Sequence, residues 1–501
     1  MVSGPFPCGS CSTPRDLKTA FEVQNSPRPQ DKAGNQELDP RSPPGVGVVY
    51  QRLLADHTYH SPSVCQWVHH GASPVSTQTT SLRKAVTTRH AVALYMSSVL
   101  GTGILVLPGL AAQVAGPASL ISWILLSLAS YPLAYTFASL STRRPESGGV
   151  FNFAKESLGP RTANAVSWLF MIWYISGAPV VTVIAASYLA YAIPMSRALI
   201  YTIAGAIMLA VIAVNYQGIV FSSRVQLGVI VAIVALLITA VAASTPLVRP
   251  TNFTPFLPNG LVPVGVSAAL IFWSYLGYEN VSNVAEEFQN PQRDFHRSII
   301  YSVAIIGVLY TAVAVATIGT QSYRAGGTIA PFAAMLSNAL GTYGAVGTAI
   351  LALVIIFSTA NAYTTGMSRV FYASAREGGL PKFLDKIHPT TRVPYRTLLL
   401  LLGLTWLMLM LFYVLNVDLE TELLIPSGAA ILVYVVGSVS GIRLLKIRGV
   451  RGSFPWISLV ISVVMIPFVG PLILISLAFA AAGYFYSRRP QTNKESTLAN
   501  R

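Results

Sequence analysis

The sequence predicts an all-α membrane protein with twelve transmembrane helices, and three observations carry that prediction. First, 53% of its 501 residues are hydrophobic and only 10% are charged. Soluble domains carry about 25% charged residues, so this chain has too few to cover a water-facing surface. Second, the apolar residues fall in repeated runs of about 20, the length that spans the hydrocarbon core as a helix. In lipid the backbone must satisfy its own hydrogen bonds, so these runs read as helices. Third, Lys and Arg cluster in alternate loops, which is the positive-inside pattern.

Taken in order, residues 1–83 stand apart. They are rich in Pro, Ser, Gly and Thr and lack hydrophobic periodicity, so they read as a disordered cytoplasmic tail or an over-long start. Cys8, Cys11 and Cys65 are the only cysteines. The lone Cys8–Cys11 pair has no second pair at zinc spacing, and neither metal nor cofactor is expected. A ten-helix core is expected over 84–445, two accessory spans over 446–489 and a cytoplasmic tail over 490–501.

The core spans are expected at about 88–113, 118–141, 162–192, 197–214, 222–244, 263–286, 298–319, 342–372, 395–416 and 422–445. Two more follow at about 454–469 and 470–487, divided by Gly470 and Pro471. Arg143, Arg144, Lys155, Arg293, Arg297, Arg376, Arg443, Arg451 and Arg488 share the side of the N-terminus. The opposite side holds Arg197, Arg249 and Arg324 with the acidic run Asp418, Glu420 and Glu422. Both termini are therefore expected in the cytoplasm, with the protein in the cell membrane. The net charge of +15 serves this sidedness. No basic stripe interleaved with aromatics exists, which excludes a nucleic-acid partner.

Span 1 is interrupted by Gly101-Thr102-Gly103-Ile104, with Pro108 a turn later. Glycine and proline weaken a helix interior. One reading is a discontinuous helix whose free amides hold a carboxylate and whose carbonyls hold an ammonium. The other is close helix packing through small residues. Span 6 repeats the device in Phe272-Trp273-Ser274-Tyr275-Leu276-Gly277-Tyr278-Glu279. Glu279 is either functional at membrane depth, where charge is costly, or hydrated near a span end. Spans 1 and 6 open two sets of five, the spacing of a five-plus-five inverted repeat.

At these residues the chain resembles the amino acid–polyamine–organocation transporter superfamily. The resemblance rests on the two breaks, on Pro145-Glu146-Ser147-Gly148-Gly149 followed by Phe151 and Phe153, and on Asn290-Pro291-Gln292-Arg293. Ser368-Arg369 and Ala375-Arg376-Glu377-Gly378-Gly379-Leu380-Pro381 extend it. It implies ten core helices plus two, and one amino acid bound near mid-membrane. It places the substrate carboxylate on Gly101, Thr102, Gly103 and Ile104, and the ammonium on carbonyls of both breaks. It implies that Trp273, beside Phe272, lies against the substrate side chain, and that Ser98 and Thr102 add hydroxyl contacts. Ser274 and Gly277 belong to the span 6 break, and Glu279 to an inner gate.

Some uptake members carry a lysine in span 5; here 225–241 has none, and Ile233 stands near that place. His296 replaces a common proline, and it reads as a titrating group or as an ordinary loop histidine. Among subfamilies the chain resembles bacterial exporters of methionine and branched-chain amino acids, through Glu287-Phe288-Gln289-Asn290-Pro291-Gln292-Arg293-Asp294-Phe295. The expectation is efflux of hydrophobic amino acids by alternating access, with protons or substrate gradients as the driving force. Proton-coupled uptake and exchange are the alternatives in the same fold. A membrane-embedded enzyme would need clustered His, Asp or Glu inside spans, and the spans hold almost none.

Overall fold

A computed structural model describes residues 88–143, 149–218, 223–281, 290–324, 329–447 and 449–486. The expected tails at 1–83 and 490–501, all three cysteines, and motif residues 145–148 and 287–289 lie outside the described residues. Every described helix belongs to one unit, Thr80–Arg501.

The described residues form helices and connecting turns, with no strand among them. In chain order the α-helices are α1 Thr88–Val99, α2 Thr102–Ala115, α3 Ser119–Arg143, α4 Gly149–Leu158 and α5 Pro160–Ala192. Next come α6 Arg197–Tyr216, α7 Ser223–Ser244, α8 Leu261–Phe272, α9 Tyr278–Val281 and α10 Pro291–Thr320. The last five are α11 Pro331–Arg376, α12 Tyr395–Val414, α13 Leu419–Leu444, α14 Phe454–Val469 and α15 Ile473–Phe485.

Nine helical stretches among the described residues are long and apolar enough to cross a membrane. Some of the nine run across a sharp turn. Thr102–Arg143 contains Gly116, whose φ of 61° and following Pro117 end α2 and begin α3. The shorter Leu261–Tyr275 is equally apolar. Large apolar side chains stand exposed along the outer helices, among them Leu128, Val308, Met410, Val460 and Leu474. A soluble monomer does not present so much apolar surface, so this exterior belongs in lipid. Inside, hydroxyls bond back to their own helices, as Thr136 Oγ1 does to the Pro132 carbonyl at 2.8 Å. That satisfies a polar group without water.

Two departures from the expected spans have local causes. The stretch after residue 148, expected as loop, forms the amphipathic helix α4, which buries Val150, Phe151, Phe153 and Ala154. Span 8 was expected from about 342, yet helix begins at Pro331 and kinks at Gly341, where φ is 62°. The arm before the kink buries Phe332, Ala333 and Met335. At the centre, α5 lies against α11, α13 and α15, while α2 lies against α8. This arrangement brings the ends of α1, α2, α8 and α9 together.

Candidate functional site

Both expected breaks are present. Helix α1 stops at Val99, and α2 restarts at Thr102 with Gly101 as its N-cap and no side chain capping it. Helix α8 stops at Phe272, continues as a 3-10 turn over Trp273–Tyr275, and passes through extended Leu276. Gly277 then takes φ 125°, a region that disfavours side chains, before α9 starts at Tyr278.

The breaks touch through bare backbone. A Cβ on Gly277 would lie 2.4 Å from the Ser98 carbonyl oxygen, and one on Gly103 would lie 2.8 Å from Ser274 Cα. These glycines are the condition for the two segments to meet. Tyr310 of α10 ties them from behind: its hydroxyl is placed to donate to the Val99 carbonyl at 2.9 Å and the Ser274 carbonyl at 3.2 Å. The Val99 carbonyl at the span 1 break thus has a partner, and it also accepts from Gly101 N–H at 2.8 Å.

An empty space of about 620 Å³, counting the part that opens to solvent, lies against both breaks. Of the expected residues, Ser98, Gly101, Thr102, Gly103 and Trp273 line it. Ile104, Phe272, Ser274, Gly277 and Glu279 do not. Ile104 is fully enclosed in the core. The Phe272 ring points its packing at Tyr434, 5.6 Å between centroids. Ser274 sits against Gly103, and its buried Oγ has no hydrogen-bond partner among the described residues.

Glu279 is 3% exposed, so it is not a hydrated residue at a span end. Its Oε2 accepts from Gly277 N–H at 2.9 Å and from the Tyr434 hydroxyl at 2.5 Å. The carboxylate thus closes the span 6 break and fastens it to α13. Its Oε1 is buried and has no hydrogen-bond partner among the described residues.

Two further walls come from helices that carry no break motif. Helix α5 contributes Trp173, Tyr174 and Gly177, and α11 contributes Thr359, Tyr363 and Met367. Gly177 makes room for Trp273: a Cβ there would lie 2.8 Å from indole Cη2. Thr359, Tyr363 and Met367 recur every fourth residue, which puts them on one helix face. That spacing was a usable signal, although any core helix also shows it. Among the described residues no charged side chain lines the cavity. A ligand's charges can meet only backbone dipoles, hydroxyls and water there, so a net charge would be poorly compensated.

Two broken helices joined at an apolar, uncharged cavity, within a sheath of lipid-facing helices, define a membrane permease for a small molecule. The family model of amino acid permeases matches residues 86–499, and the chain belongs to that family. It is 34% identical to the uncharacterized amino acid permease YecA of Bacillus subtilis, over 83% of this chain and 98% of that protein. It is 30% identical to the methylthioribose transporter of Bacillus subtilis, over 65% of this chain and 73% of that one. It is 27% identical to the L-methionine/branched-chain amino acid exporter YjeH of Escherichia coli, over 71% of this chain and 85% of the exporter.

Proposed function

We propose that this permease exports hydrophobic amino acids, methionine and the branched-chain residues, across the cell membrane by alternating access. The observation that carries the reading is the uncharged cavity at the junction of the two breaks, with Trp273 and Met367 in its wall. A zwitterion places its carboxylate toward the uncapped amides of α2 and its ammonium toward the Ser98 carbonyl region. Its side chain lies on the indole of Trp273. Aliphatic and thioether side chains suit these walls, and a cationic or anionic side chain would lose its hydration without a partner. The cargoes in the names of two relatives, methylthioribose and methionine, both carry a thioether.

The fold is read as twelve spans in a five-plus-five inverted repeat with two accessory helices, both termini being cytoplasmic. The core is 84–445, the accessory pair 446–489, and the flanking segments 1–83 and 490–501 are tails. Glu279 acts at the inner gate by releasing or holding the span 6 break. Ile233 is buried in α7, so no ammonium is available at that place for proton coupling.

Counterflow in proteoliposomes tests this directly. Liposomes preloaded with methionine or leucine should accumulate labelled methionine, and those preloaded with lysine or glutamate should not. An imposed pH gradient then separates proton coupling from exchange. Equal counterflow with lysine would contradict the assignment.

A further inference from the structure

A second, larger cavity lies away from the breaks, between α3, α10 and the turn that leads into α14. Its empty space is about 1050 Å³, again counting the open part. Its basic side chains are Arg143, Arg293, His296, Arg297 and Arg451, and among the described residues no carboxylate lines it. Among the described residues only Arg143 of these has an acidic partner, Glu156 at 3.9 Å. Among the described residues, no ion pair is formed by Arg293, Arg297 or Arg451. Three exposed guanidinium groups facing one groove, with no counter-ion among the described residues, repel each other, and an anion between them relieves that.

The surroundings say which anion. On α10 the arginines sit on a lipid-facing stripe: Arg293 and Arg297 are followed, at helical spacing, by exposed Ile300, Tyr301 and Val308. On the other side, Arg451 precedes α14, whose Trp456, Ile457 and Val460 are exposed in the same way. The groove floor is aromatic, with Tyr135 edge-on to His296 at 5.8 Å and to Phe454 at 5.0 Å. A basic mouth that runs into two apolar helix faces matches an amphiphile, with its phosphate among the arginines and its chains along α10 and α14.

We propose that this groove binds the headgroup of an anionic phospholipid. The contact is independent of the cavity at the breaks and of which amino acid the permease carries. A free phosphate ion shares the headgroup chemistry but would make no use of the apolar faces.

Native mass spectrometry of the full chain tests the proposal. The wild type is titrated with phosphatidylglycerol, with phosphatidylcholine, and with phosphatidylglycerol in the presence of millimolar inorganic phosphate. The wild type should prefer phosphatidylglycerol by roughly tenfold or more, because each arginine near a phosphate contributes a several-fold preference. Inorganic phosphate should not displace the lipid. The triple variant Arg293→Gln/Arg297→Gln/Arg451→Gln should bring the two lipids to near parity. The double variant Arg161→Gln/Lys386→Gln, which removes exposed cations outside the groove, should keep the preference. Should the triple variant fail to fold, Arg451→Gln alone, in the turn before α14, should still cut the preference several-fold. The proposal is overturned by an undiminished preference in the groove variants, by an equal loss in the control, or by displacement of the lipid by phosphate.

Discussion

The indole of Trp273 rests against the bare Cα of Gly177, where a methyl group would stand 2.8 Å from Cη2. One helix thereby sets the position of the residue proposed to hold the substrate side chain, although the two lie on different helices. Gly177→Ala should displace the indole and raise the KM for methionine. Overpacking of this kind costs about 1–3 kcal/mol, or roughly tenfold in apparent affinity. Gly177→Leu should abolish transport while the protein still elutes as a folded species. Unchanged counterflow in Gly177→Ala would mean that Trp273 does not touch the substrate.

The two span 1 glycines should differ. A Cβ on Gly103 meets Ser274 Oγ at 2.4 Å and Cα at 2.8 Å, whereas one on Gly101 meets only the Thr359 side chain, at 3.0 Å. Backbone yields less than a side-chain methyl. Gly103→Ala should therefore reduce initial transport rates by about tenfold more than Gly101→Ala does. Equal rates in the two variants would show that the breaks are not held in contact.

Tyr310→Phe removes the donor shared by the Val99 and Ser274 carbonyls and leaves the cavity wall intact. Losing one partner of a buried hydrogen bond costs about 1–3 kcal/mol. The expected result is a lower melting temperature and weaker substrate binding, with selectivity among amino acids preserved. Altered selectivity would place Tyr310 in the substrate's surroundings instead.

At Glu279, Gln keeps an acceptor for Gly277 N–H and the Tyr434 hydroxyl, whereas Leu leaves both donors buried and unpaired. Glu279→Leu should lose about 2–6 kcal/mol of stability, at about 1–3 for each stranded group. Glu279→Gln should fold and bind substrate but change the transport rate, as the proposed inner-gate role of this carboxyl requires. A variant Glu279→Leu as stable as wild type would sink the assignment of Glu279 as the clasp of the break.

Asp418 caps α13, accepting from Thr421 N–H at 3.0 Å and from the Thr421 hydroxyl at 2.8 Å. Burial works to raise its pKa, but these hydrogen bonds outweigh it and hold the carboxyl below its usual value. With the folded value depressed, the cap's stabilisation is complete above the unfolded pKa and is lost as pH falls through the folded one. Asp418→Ala should cost up to about 1 kcal/mol. The melting-temperature gap should be flat around neutral pH and shrink only in acid.

The lipid-facing helices and both breaks were legible because each has a one-dimensional signature. Apolar runs mark spans, Gly101 and Gly277 stand where the helices are interrupted, and Gly103 lies one residue into the restarted helix, where the other break approaches. Helix α4 and the arm of α11 before Gly341 carry no such signature, because they are too short, or too mixed in polarity, to resemble a span. The walls from α5 and α11 were missed for a different reason. Met367 and Tyr363 are ordinary apolar helix residues, and only the fold brings them opposite Trp273. Glu279 was noticed for its cost in the membrane, but its partner Tyr434 is 155 residues away and no local pattern points to it.

The central claim is that the junction of the two breaks is the substrate site. Isothermal titration of methionine into the purified wild type, Trp273→Ala and Gly103→Leu measures this most directly. The expected result is saturable binding to the wild type, at least about tenfold weaker binding to Trp273→Ala, as for an aromatic binding hot spot, and none to Gly103→Leu. Wild-type affinity in both variants, with both folded, would put the substrate somewhere else.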